Sequence, residues 1–144
     1  PYVIEPAAGA TRGLLVYLID AYHEENVKDA KGNDTKRVVM KLHPKLAPFK
    51  VAILPLIKKD GLPEIARSLV KDFMKSGINA RYDEQHAIGK RYRRHDEVGT
   101  PYCITIDGET KDDNCVTIRD RDTMLQERIP IADAIEIVKN KLNQ

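Results

Sequence analysis

From Phe49 to its end, the sequence alternates short apolar runs with amphipathic stretches of helical period, and this alternation constrains the fold more than any other feature. "FKVAILPL" is a near-continuous apolar run of strand length, as expected of an interior strand covered on both faces. Pro63 suits the first turn of a helix, and Ile65, Ala66, Leu69, Val70 and Phe73 keep one apolar face until Gly77 stops it. "NARYDE" predicts a second strand, and residues 87–98 a second helix with Ile88, Tyr92 and His95 on one side. "PYCITI", the loop "DGETKDDN" and "CVTIRD" predict a hairpin. A last helix is expected near Pro130, packing through Ile131, Ala134, Ile135 and Val138. The order is βαβαββα. Helical crossovers favour parallel strands with right-handed connections, so the expected fold class is α/β, a mixed sheet flanked by helices.

The first 45 residues follow a different pattern. "YVIE" suits a short strand, residues 6–11 a turn, and "RGLLVYLIDAYHEE" a helix with Leu14, Leu15, Leu18, Ile19 and Tyr22 at helical spacing. That helix is apolar around most of its circumference and calls for burial against a surface this sequence does not supply. Residues 26–35, with "KGND", read as a loop, and "KRVVMKLHPKLAP" as a short strand ended by His43 and Pro44. The boundary is placed there, giving segments 1–45 and 46–144. Because the chain opens at Pro1 on a strand running into a glycine turn, it reads as the C-terminal piece of a longer protein.

With 24 basic and 22 acidic side chains, the net charge of +2 excludes a bulk cationic tail, and any nucleic-acid surface must be local. No apolar run approaches the ~20 residues needed to span a bilayer, so a cytoplasmic protein with no membrane partner is expected. Cys103 and Cys115 lack the partners of a zinc knuckle. In a hairpin Cys115 falls opposite about Ile106, roughly 10 Å from Cys103, too far for a disulfide. Two reduced thiols are expected. The four histidines have no metal spacing, so no metal site is expected.

Four features carry chemistry. Arg12 follows a turn bracketed by Gly9 and Gly13 at a helix start, where a guanidinium beside free amides suits a phosphate, although a surface or capping role fits equally. Glu5 is either a strand-edge carboxylate facing water or a buried one needing a cationic partner. Lys90, Arg93 and Arg94 share a helical face, flanked by Arg91. Such a face can track a phosphate backbone, or be a solvated surface with Arg93 paired to Glu97. Arg119, Asp120, Arg121 and Asp122 alternate in sign after a strand, the pattern of surface bridges or of groups that read unstacked bases. Nucleophile elbow, paired catalytic carboxylates and Walker loop are all missing from the sequence.

"VIEPAAGATRGLLVYLIDAY" resembles the third signature motif of class II aminoacyl-tRNA synthetases. "LAPFKVAILPL", "IGKRYRRHDEVGTPYCITID" and "VTIRDRDTM" resemble the anticodon-binding domain shared by the glycyl, threonyl, prolyl and histidyl enzymes. "VIEP" and "KLHPKLAPFKVAILPL" are similar to the glycyl-tRNA synthetases in particular. The resemblance implies a five-stranded-type anticodon-binding sheet over 46–144, preceded by a strand-turn-helix end of the catalytic domain. It implies ATP-dependent attachment of glycine to tRNA(Gly), with Mg²⁺, in a homodimer that needs no DNA. It also implies that Arg12 grips ATP, that Glu5 meets the glycine ammonium, that Arg119, Arg121 and Asp122 lie near anticodon bases, and that Lys90, Arg93 and Arg94 lie near phosphates. Ala7 stands where the family typically has Ser, so that pocket contact must be absent, replaced by water or supplied from elsewhere. The other signature motifs lie upstream in the family, and the piece alone is expected to form no adenylate. Prolyl or threonyl enzymes, or a noncatalytic nucleic-acid binder, are the alternatives.

Overall fold

The apolar run after Phe49 forms the centre of the sheet. In a computed structural model of the chain, which describes residues 2–28 and 32–143, β3 (Val51–Pro55) is buried at every position. The helix α1 (Ala10–Ala21) and the strands β1 (Tyr22–Lys28) and β2 (Asp34–Met40) precede it. After it come α2 (Leu62–Lys75), β4 (Ala80–Tyr82), α3 (Ile88–Val98), β5 (Tyr102–Ile106), a short α4 (Thr110–Asp113), β6 (Cys115–Asp120), β7 (Gln126–Pro130) and α5 (Ala134–Leu142).

The five-stranded sheet has the order β4-β3-β5-β6-β7. β3 is parallel to β4 and β5, while β5–β6 and β6–β7 are antiparallel, so the sheet is mixed as expected. The chain steps outward from β3 to β4 through α2, then back past β3 to β5 through α3. Right-handed crossovers in opposite directions place the two helices on opposite faces. Accordingly α2 packs through Ala66, Leu69 and Phe73 on the face carrying Val51, Ile53, Ile104 and Ile118, and α5 joins it through Ala134 and Val138. The other face, with Ala52, Leu54 and Cys103, is met by α3 through Ile88 and Tyr92. One helix cannot cover five strands, and the β6–β7 side of that face stays open.

Four expectations are corrected. Residues 2–9 form no strand: Val3 and Ile4 are exposed and meet no ladder partner among the described residues. The first helix ends at Ala21, because Tyr22 to Lys28 pair with β2 from Tyr22↔Met40 to Lys28↔Asp34; residues 26–28 and 34–35 of the expected loop belong to these strands, and 29–31 lie outside the described residues. A fifth strand, β7, appears in a polar stretch, held by pairing to β6 and by the buried Ile129. Pro130 ends that edge strand, where its missing N–H is tolerated, and α5 begins only at Ala134 after a 3₁₀ turn.

The apolar α1 is exposed: Leu14, Leu15, Val16, Tyr17, Leu18 and Ile19 are 40–67% accessible. The described residues leave these side chains open. Both cysteines are free thiols; Cys103 is buried opposite Arg119, and burial pushes its thiol up to about 12. Among the described residues no helix is long and apolar enough to cross a membrane.

Candidate nucleic-acid interface

The open side of the α3 face is a groove of about 280 Å³. Its floor is Thr105 and Thr117, direct partners across the β5–β6 ladder, so both hydroxyls point the same way. Leu56, Ile88 and Tyr92 form one wall, and Asp107 and Gln126 the other. The Tyr92 hydroxyl lies 2.6 Å from Thr105 Oγ1, which fixes the ring against the floor. Beyond Gln126, the Arg128 guanidinium bonds Asp107 and Asp113 at 2.8 Å each, and those bonds hold both carboxyls below their usual range. The groove therefore offers hydroxyl, amide and carboxylate groups beside an aromatic ring and aliphatic side chains, the mixture that recognises the edges and faces of unstacked bases.

Arg119 lies at the inner end of this groove, yet it is 6% exposed. Its guanidinium sits 4.8 Å from the Tyr92 ring centre and donates to both Asp96 oxygens, at 2.9 and 3.2 Å. Arg121 is also buried: Nη1 donates to the carbonyls of Leu42 and Gly99 at 2.9 Å, and Nε and Nη2 to Asp122 at 2.8 Å. Asp122 is half exposed and held below the usual carboxylate range, the bonds from Arg121 outweighing its burial. The three residues singled out at the end of β6, Arg119, Arg121 and Asp122, thus lie at one junction, where the two arginines hold protein groups.

The α3 cations occupy the opposite side of the helix. Lys90 and Arg93 are exposed, and Arg93 donates to Thr35 Oγ1 at 3.1 Å instead of pairing with Glu97. Arg94 bonds Asp83 at 2.5 Å and lines a polar cleft of about 520 Å³ with Lys58 and Arg81, at the carboxyl ends of β3 and β4. Arg91 is buried and caps the Pro55 and Leu56 carbonyls at the end of β3. Glu5 and Arg12 are exposed, the latter in the first turn of α1, and neither meets the α3 or β6 residues in any contact of the described structure.

Sequence reasoning passed over Thr105, Thr117, Gln126 and Arg128. The available signal was alternation in "CVTIRD", which puts Thr117 and Arg119 on one face opposite Val116 and Ile118.

His95, expected on the packed side of α3, is 1% exposed. Nδ1 is 3.3 Å from Thr100 Oγ1, and Nε2, 3.5 Å from Asp83 Oδ2, has no hydrogen-bond partner among the described residues. Burial pushes its pKa down, only partly offset by Asp83. The fold therefore holds His95 neutral while the unfolded chain protonates near 6.5. Its contribution to stability is present above about 6.5 and is lost as pH falls below that value, by at most about 1.4 kcal/mol per pH unit for one proton. Urea unfolding at pH 7.5 and 5.5 checks this. A His95→Asn protein should show a shallower loss across that interval.

The fold is that of an α/β domain whose mixed sheet is half open on one face. Residues 50–141 match the family described as "Anticodon binding domain", and the chain belongs to it. Curated relatives extend the likeness beyond that segment. The glycine–tRNA ligase of Treponema denticola is 49% identical over 142 residues, 99% of this chain and 31% of the relative. Those of Borrelia hermsii and Clostridium perfringens are each 52% identical, over 99% of this chain and 31% and 30% of their own lengths. The chain spans about three tenths of these relatives.

Proposed function

We propose that this chain is the anticodon-binding part of a glycine–tRNA ligase, and that the groove between α3 and β7 receives unstacked anticodon bases of tRNA(Gly). The observation that carries the reading is the uncovered β6–β7 face beside Tyr92, within the stretch that matches the anticodon-binding family. Single-stranded loops are read on base edges and by stacking, while cations position the backbone. Lys90, Arg93 and Arg94 are the proposed phosphate contacts. Arg119 and Arg121 act on the bases through the groups they orient, Tyr92 and Asp122, since their own donors are turned to the protein.

In the whole protein, the proposed reaction joins glycine to ATP as an adenylate and transfers the glycyl group to the tRNA 3′ end. Segment 1–45 would belong to the catalytic body and 46–144 to the anticodon-binding part. Arg12, in the first turn of α1 where helix amides gather, would hold an ATP phosphate, and Glu5 the glycine ammonium. Mg²⁺ would supply charge neutralisation at the phosphates, beside the Arg12 guanidinium. A cytoplasmic homodimer is the proposed setting.

Substitution separates the two roles. Charge reversal at Lys90 and Arg93 should weaken binding of every tRNA and lower the salt slope by ~0.7–0.9 per lost phosphate contact. Thr117→Leu, which fills the groove floor, should instead reduce the preference for the glycine anticodon and leave the slope unchanged. The reading fails if both substitutions leave tRNA binding as it was.

A further inference from the structure

We infer that the β1–β2 hairpin is a working part of the anticodon groove, with Arg37 as a positioning residue for it. The inference rests on the reading of the groove given above. Arg37 comes from the segment before the family match, yet its side chain is 3% exposed. Nε donates to Asp96 Oδ2 at 2.9 Å, Nη1 donates to Glu25 at 2.7 Å, and Nη2 donates to the Arg121 carbonyl. Asp96 is itself 1% exposed and serves Arg37 and Arg119 together.

One buried carboxylate thus fixes two guanidinium groups from different segments. Arg119 in turn lies over Tyr92, whose hydroxyl meets Thr105 on the groove floor. The path from hairpin to groove is short: two ion pairs at Asp96, the Arg119 guanidinium over the Tyr92 ring, and the Tyr92–Thr105 hydrogen bond. Its energetics point to orientation over stability, because taking ions out of water cancels much of the attraction between them, and apolar side chains could close the same seam at less cost. With Arg37 removed, Asp96 keeps only Arg119, and the placing of that guanidinium over the Tyr92 ring is no longer held from the hairpin side.

The test uses the full-length protein and measures affinity for tRNA(Gly) and for the same tRNA with a swapped anticodon, across a salt series. Arg37→Gln should cut the discrimination between the two tRNAs by about fivefold or more. The salt slope should not change, since Arg37 contacts no phosphate in this account. If Arg37→Gln lowers the melting temperature while leaving the discrimination at the wild-type value, Arg37 is merely structural and the inference is overturned. Should that variant not fold, Arg37→Lys carries the test: it keeps the buried charge but lacks the fork that spans Asp96, Glu25 and the Arg121 carbonyl. Unchanged discrimination in Arg37→Lys overturns the inference equally. If the wild-type protein itself binds both tRNAs alike, the anticodon reading has failed, an outcome distinct from failure of Arg37 alone.

Discussion

Asp96→Ala is expected to destabilise the protein by about 3–5 kcal/mol, the range for breaking a buried ion cluster by removing one partner. The substitution strands two buried guanidinium groups, Arg37 and Arg119, each of which donates to this carboxylate at 2.9 Å. Asp96→Asn should cost less, because an amide oxygen still accepts one of the bonds. Urea unfolding of the three proteins gives the comparison, and an Asp96→Ala protein within about 1 kcal/mol of wild type would show that the cluster is not what closes the seam. The loss should also depend on Arg37. In a protein already carrying Arg37→Met, removing Asp96 strands one guanidinium fewer and should cost less than in wild type, a coupling that a double-mutant cycle reads directly.

Gly99→Val should act on the same seam by a steric route. Gly99 follows α3 at φ +83°, a conformation side chains rarely adopt, and its carbonyl takes a bond from Arg121. A Cβ there would lie 3.0 Å from the Met40 carbonyl oxygen and 3.0 Å from Leu42 Cδ1. Backbone strain of ~1–3 kcal/mol and overpacking of ~1–3 kcal/mol combine, because these neighbours include main chain that cannot swing aside. Gly99→Ala carries the same strain and contact with less bulk, so it should fall between wild type and Gly99→Val. Equal stability of all three would mean that β2 does not pack on the end of α3 as described.

Periodicity in the sequence located β3, α2, β4, α3, β5, β6 and α5, since each has an apolar face or run that pays its own way into the core. It did not locate β1 or β7. Tyr22–Lys28 is exposed or half-buried throughout, and β7 buries only Ile129; both strands exist because a neighbour offers a ladder, which a local pattern does not record. The candidate site was legible to a similar degree. Lys90 and Arg93 were visible as an i, i+3 pair and are exposed. The burial of Arg119 and Arg121 was not visible, because their partners lie 23 residues away at Asp96 and 79 residues away at Leu42. Thr105, Thr117 and Gln126 are ordinary residues whose meaning comes from the missing second helix on their face of the sheet.

The measurement that bears most directly on the anticodon reading is binding of the full-length protein to tRNA(Gly) and to anticodon-swapped versions of it, over a salt series. Tighter binding of tRNA(Gly) is expected at every salt concentration, with parallel slopes, because the swap changes bases in the groove and leaves the phosphates alone. Equal binding of all versions, falling steeply with salt, would contradict it and leave only a cationic surface on α3.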